Sequence, residues 1–266
     1  MATRRQLAAQ KTLADAHRRE QGVLNAGLVA DLARLFRALF NRDAASESWQ
    51  AMRPAIRALI SVHAQRSADL AATYYLRTRQ AAGVVTRFRP TVQGPPESDL
   101  IDATIDSTGL GSYLHDRKMG RSPEDAARRA EQNLSGAAMR LAQQAGRETV
   151  RASTQDDERA IGWMRVTDDD PCYFCAMVAS RGPVYKSRKT VGGHGDRFKG
   201  MNPFAWHNWD QCTASPVFSP EDPRIDAADE LYDEWLDVTG DDFGKDKLRA
   251  WRRHWEGKRS GTAETA

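Results

Sequence analysis

Apolar residues recur at three- and four-residue intervals through most of the first ninety positions, which is the period of a helix face. In GLVADLARLFRALF, Leu28, Leu32, Leu35, Phe36 and Leu39 fall on one side. In SESWQAMRPAIRALISVHAQRSADLAATYYLRTRQ the same holds for Met52, Ile56, Leu59, Ile60 and His63. Pro54 marks either the first turn of a helix starting nearby or a kink. Gly83 and the β-branched VVTRFRPTV then end the helical run.

QGPPESDL is the clearest breaker in the first half and sets a boundary after residue 94. DATIDSTGLGSYLHDRKMGRS reads as short helix mixed with glycine turns. The next helix begins with Ser122 as cap and Pro123 at the first helical position, with Gly136 and Gly146 as places where it could divide. AIGWMRVTDDDP predicts a short strand running into an acidic turn. SPVFSPEDP breaks the pattern again near residue 220. Beyond it Ile225, Ala228, Leu231, Trp235 and Leu236 mark one helix face, and Leu248, Trp251 and Trp255 mark a last helix capped by Asp241 or Asp242. The final GKRSGTAETA is expected to be loose. The expected fold class is α+β, predominantly helical, in three parts: a basic helical arm (1–94), a small α+β domain (95–220) and a C-terminal helical extension (221–266).

Composition is ordinary for a globular chain, with 40% hydrophobic and 28% charged residues. No apolar run approaches the roughly 20 residues of a membrane span, and the basic N-terminus lacks the apolar core of a signal peptide. A soluble protein made in the cytosol is the expectation. The net charge of +3 hides a gradient: residues 1–90 hold fifteen Lys and Arg against six Asp and Glu, while residues 221–266 hold eight against thirteen. Lys11 is the only lysine of the basic arm. Arginine forks suit carboxylates and phosphates alike, so Arg34, Arg37, Arg53, Arg57, Arg77 and Arg79 are candidates for docking an acidic protein or DNA.

Chemistry concentrates in the three cysteines. Cys172 and Cys175 stand as C-x2-C, and His207 and Cys212 as H-x4-C after a gap of 31 residues. Thiolates and imidazole hold zinc tetrahedrally, and closely spaced pairs let one tight turn supply two ligands. Two other readings stay open: a redox pair, which requires the C-x2-C to open a helix after a strand, and three buried thiols acting as small apolar residues. His63, without a second ligand nearby, reads as a helix residue.

Catalytic patterns are poorly represented. A zinc deaminase needs H-x-E upstream of P-C-x-x-C, and none of His17, His63 and His115 supplies it. There is no phosphate loop and no G-x-S-x-G. WHNWD and the glycine-loop His194 with Asp196 sketch a nuclease, but without the further histidine and asparagine such a site needs.

The run GRETV…GWMRVTDDDPCYFCAMVASRGPVY followed by WHNWDQCTASPVF resembles minor capsid proteins of tailed phages infecting actinobacteria, relatives of the phage Mu protein F-like head morphogenesis family. The resemblance covers about residues 125–220. It implies a non-enzymatic structural protein of the phage head, in few copies, associated with the portal or inner capsid surface and acting during head assembly. Its partners would be portal or major capsid protein, with packaged DNA as a further contact and no membrane. Its location would be the virion, assembled in the host cytoplasm. The same resemblance implies structural zinc on Cys172, Cys175, His207 and Cys212. Where relatives usually read H-x-x-C-x-C, this chain has Asp210 for the first of those cysteines. Asp210 then substitutes as an oxygen ligand, or the site is weakened or lost. Trp163 and Tyr185 are expected as packing neighbours, and Asp168, Asp169 and Asp170 as a solvated turn or a contact. A zinc-assisted DNA-binding protein and a nuclease or toxin delivered with the genome are the rival functions.

Overall fold

The computed structural model describes residues 3–186, 197, 206–240 and 244–261. Among them, α1 (Arg4–Leu39) and α2 (Ala45–Ala81) form an antiparallel pair. α3 (Ser98–Asp106), a π-helical turn (Ser107–Gly111) and α4 (Ser112–Lys118) lead into α5 (Pro123–Asp156). β1 (Gly162–Val166), α6 (Tyr173–Ala179), β2 (Val184–Tyr185) and β3 (Thr213–Val217) follow, then α7 (Pro223–Thr239) and α8 (Lys245–Ser260). The predominantly helical α+β class holds.

Local chemistry accounts for several boundaries. Thr3 and Gln6 close a capping box at the start of α1. Ser122 accepts from the Asp125 amide, with Pro123 in the first turn of α5, as its sequence predicts. Asp222 and Pro223 repeat the device at α7. α8 starts after Gly244, and the expected caps Asp241 and Asp242 lie outside the described residues.

Four expectations need correction. Pro54 is in the interior of α2, nine residues past its start rather than in a first turn. The carbonyl it leaves without an amide partner belongs to exposed Gln50, where water can bond it. STGLG is not a glycine turn but continues the helix as a π-widened turn. A Cβ on Gly109 would collide with the ring of buried Trp49, whose Nε1 donates to Asp106 Oδ1 at 2.7 Å. Gly136 and Gly146 do not divide α5; they let other chain approach it. Leu39, counted on the buried face of α1, is 48% exposed in its last turn.

α1, α2 and α5 make a three-helix bundle around Leu28, Leu32, Ile56, Ile60, Leu134 and Leu141, closed at one end by Ile101 and Ile105 of α3. The breaks expected at 94 and 220 coincide with irregular segments, but the cores cross both. Ile101 joins α1 and α2, and Ile225 and Ala228 of α7 pack with Met164 of β1 and Val217 of β3. The sheet is antiparallel in order β2-β1-β3, with Met164 opposite Ser215. Trp163 and Ala214 pack with Tyr74 and Tyr75 of the bundle. Tyr185 pairs with Gly162 across the β1–β2 ladder.

The buried stripe of α1 changes character along its length. Leu28, Leu32 and Phe36 are apolar, whereas Gln10, His17, Gln21 and Asn25 are buried polar residues with Ala14 among them. Gln21 donates to Ser67 O at 3.0 Å and accepts from Ser67 Oγ at 2.9 Å, which fastens α1 to α2 through buried hydrogen bonds.

Candidate metal centre

β1 delivers the chain into the acidic turn. Cys172 is the N-cap of α6, its sulfur accepting from the Cys175 amide at 3.4 Å. The flanking peptides are held from α8: Trp255 Nε1 donates to Pro171 O at 2.7 Å, and Trp251 Nε1 to Tyr173 O at 2.8 Å. The three aspartates divide the work of the turn. Asp169 pairs with Arg18 of α1 at 3.2 Å, Asp170 pairs with Arg259 of α8 at 2.5 Å, and burial raises the half-buried Asp168 carboxyl.

The return segment arrives through a tight turn in which the Asp210 amide donates to His207 O at 3.3 Å and Trp209 adopts a left-handed φ of 65°. The turn lies against α5 at Gly136, where a Cβ would stand 2.5 Å from Trp209 Nε1. Arg140 reaches Asn208 Oδ1 at 3.1 Å. His207 Nδ1 lies 2.7 Å from Asn208 O, so Nδ1 carries the proton and Nε2 turns to the sulfurs.

Nε2 lies 3.0 Å from Cys172 Sγ and 3.3 Å from Cys175 Sγ. Sulfur and nitrogen sharing a tetrahedral zinc at 2.3 and 2.0 Å would stand about 3.5 Å apart, so a small expansion admits the ion. Cys175, Cys212 and Asp210 form a second close group that shares Cys175 with the first. Cys172, Cys175, His207 and Cys212 thus sit close enough to hold a metal. No disulfide links the cysteines.

Without a metal the electrostatics hold only Cys172 in its ligand form, and His207 and Cys175 would each release a proton on binding one. The hydrogen bond from Cys175, with His207 adding to it against burial, holds the Cys172 thiol down to about 4. The Cys172 contact holds His207 up to about 9 against its burial. The Cys175 thiol, hydrogen-bonded to Cys172 and Cys212 and buried, is pushed up. Behind the sulfurs lies a buried ionic cluster that the sequence reading did not find. Arg165 of β1 meets Asp210 Oδ2 at 3.1 Å, and Arg147 of α5 lies 3.5 Å from Asp210 Oδ1. Their guanidinium carbons sit over the Trp206 ring, 3.6 and 3.9 Å from its centroid. Burial alone would raise the Asp210 carboxyl, but the two arginines hold it below its ordinary value. A signal existed: Arg147 lies at helical spacing among the apolar residues of α5, and Arg165 sits in a strand beside Trp163 and Met164.

The redox criterion is met in part, since Cys172 opens a helix after a strand, yet the sheet is a three-stranded antiparallel one rather than a βαβ unit. His194 and Asp196 lie outside the described residues. The candidate docking arginines divide three ways. Arg34, Arg37 and Arg77 are exposed, with Arg34 paired to Asp31. Arg53 and Arg57 are tied to Asp102 of α3 at 3.1 and 3.2 Å. Arg79 is buried, bonded to Asp157 at 2.8 Å and to Thr86. Among the described residues no helix is long and apolar enough to cross a membrane.

Comparison with known proteins places the chain. It is 24% identical to the Gene 15 protein of Mycobacterium phage D29 over 241 residues, covering 81% of this chain and 84% of that protein. No solved structure matches. The VG15 protein family matches residues 8–238, from the first turns of α1 to the end of α7, taking in the bundle, the sheet and all four candidate ligands. The chain belongs to the VG15 protein family.

Proposed function

We propose that the protein is a structural component of a tailed-phage head, a non-enzymatic minor capsid protein that acts in head assembly at the portal or inner capsid surface. The observation that carries this reading is the kinship with a mycobacteriophage protein along most of both chains. The character of the site supports it. Three sulfurs and one imidazole from two chain segments would fill a tetrahedral zinc, and four protein ligands suit structural use rather than catalysis. Bound there, zinc would cross-link the α6 hairpin to the return segment, and its binding energy would become folding energy. Exposed Arg37 and Arg77 remain available to an acidic face of portal or capsid protein.

The test is mass spectrometry of gradient-purified heads and mature particles of the parent phage. Recovery of the protein at a few copies per head is expected, and its absence from both overturns the reading. Metal content of the protein purified without added metal is expected near one zinc per chain and lost in Cys172→Ser. The DNA-binding alternative predicts an affinity for duplex DNA that falls steeply with salt.

A further inference from the structure

We propose that Asp210 is not a metal ligand but the counter-ion of the Arg147–Arg165 pair, and that this buried triad positions and neutralises a centre of three thiolates and one imidazole. The inference rests on the metal reading above and specifies its ligand set.

Asp210 is within reach of two sulfurs, so its carboxylate invites assignment as a ligand. Its hydrogen bonds argue otherwise. The side chain is fully buried. Oδ2 accepts from Arg165 NH1 at 3.1 Å, and Oδ1 accepts from the Cys212 amide at 2.8 Å with Arg147 3.5 Å away. Swinging either oxygen round to a metal would lengthen its bond to a buried cation or a buried amide, and weakening a buried pair of that kind is costly.

The arginines in turn address the ligands. Arg147 donates to Cys212 O from both Nε at 3.1 Å and NH2 at 2.7 Å, and to Asp210 O at 3.1 Å. It therefore fixes the backbone that presents the Cys212 sulfur. Arg165 NH1 stands 3.8 Å from Cys175 Sγ, at the limit of an N–H···S contact.

Formal charge decides between the ligand sets. Two guanidiniums and one carboxylate leave one positive charge in the interior, and neutral thiols or a thiolate–imidazolium pair do nothing to offset it. A divalent ion with three thiolates and neutral imidazole carries one negative charge, and the whole cluster then sums to zero. With Asp210 as ligand in place of Cys212, the same cluster keeps an uncompensated positive charge, which a buried site disfavours. Asp210 thus stands where a cysteine is usual without reducing the number of ligands, because Cys212 supplies the third sulfur.

Cobalt(II) titration of the full chain tests this, since thiolate-to-cobalt charge-transfer absorption scales with the number of bound sulfurs. Cys212→Ala is expected to lose about one third of that intensity per metal, in proportion to one ligand of three. Asp210→Asn is expected to keep the wild-type spectrum while metal affinity falls about 10–100-fold, as for an outer-shell partner. An unchanged intensity in Cys212→Ala, or shifted visible bands in Asp210→Asn, overturns the proposal. The Cys212→Ala result decides even where Asp210→Asn does not fold. Wild-type protein that takes up no cobalt overturns the metal reading itself and this inference with it.

Discussion

His17 gives the sharpest test of how the bundle is held. The ring is 3% exposed and stacks on Tyr74 with centroids 4.3 Å apart and planes 2° from parallel. It lines a cavity with room for about one water, shared with Gln21, Gln143, Gly146, Arg147, Thr213 and Ala214. Burial lowers its pKa from 6.5 to about 3. The folded pKa is depressed, so between those values the unfolded chain binds a proton that the folded chain refuses, and stability falls as pH falls. Lowering the pH from 7 to 5 costs about 2 kcal/mol from this residue alone, at 1.36 kcal/mol per unit below the unfolded pKa. Other groups titrate in the same interval, so the measurement is a difference. Urea denaturation of the wild type and of His17→Phe, which keeps the stacked ring, is run at pH 7, 6 and 5. Wild type should lose about 2 kcal/mol more than the variant over that range. Parallel losses would refute the argument that His17 is buried neutral.

Two further substitutions probe the packing around the site. Gly136→Ala in a free helix would gain up to about 1 kcal/mol, but here the new methyl meets the Trp209 indole, so a net loss of about 1–3 kcal/mol is expected by urea denaturation; unchanged or higher stability counts against the described approach. Asp157→Asn leaves the buried Arg79 guanidinium without its carboxylate and is expected to cost about 3–5 kcal/mol in thermal or chemical melting, whereas a loss under 1 kcal/mol would show that Thr86 and solvent suffice for that cation.

Much of the scaffold was legible because its signals are local. Leu28, Leu32 and Phe36, the Ser122–Pro123 start and the GWMRV strand each state their element within a few residues, and the structure agrees. The four candidate ligands were legible for the same reason, as two short-spaced pairs. What escaped depended on distant partners. Gly109 reads as a turn until Trp49, sixty residues earlier in the chain, is seen to occupy the space its missing side chain leaves. Arg79 reads as one more arginine of a basic face until Asp157 is brought beneath it. Asp210 reads as a damaged ligand position until Arg147 and Arg165 arrive from α5 and β1. The polar stripe of α1 escaped as well, because a hydrophobic period finds no signal in Gln10, His17, Gln21 and Asn25.

The two tryptophan hooks of α8 carry a consequence for the order of events during synthesis. Trp255 lies 84 residues after Pro171, whose carbonyl it holds. At about 5–20 residues per second, translation needs roughly 4–17 s to cover that distance. Early in that interval the α6 hairpin is completed, and the return segment with His207 and Cys212 follows before α8. The nascent chain therefore has every sulfur and the imidazole at hand while the side later covered by Trp251 and Trp255 is still open. Once α8 docks, Trp251 and Trp255 fasten both peptides that flank Cys172, so the cysteine turn reaches its final geometry only after every candidate ligand has been made.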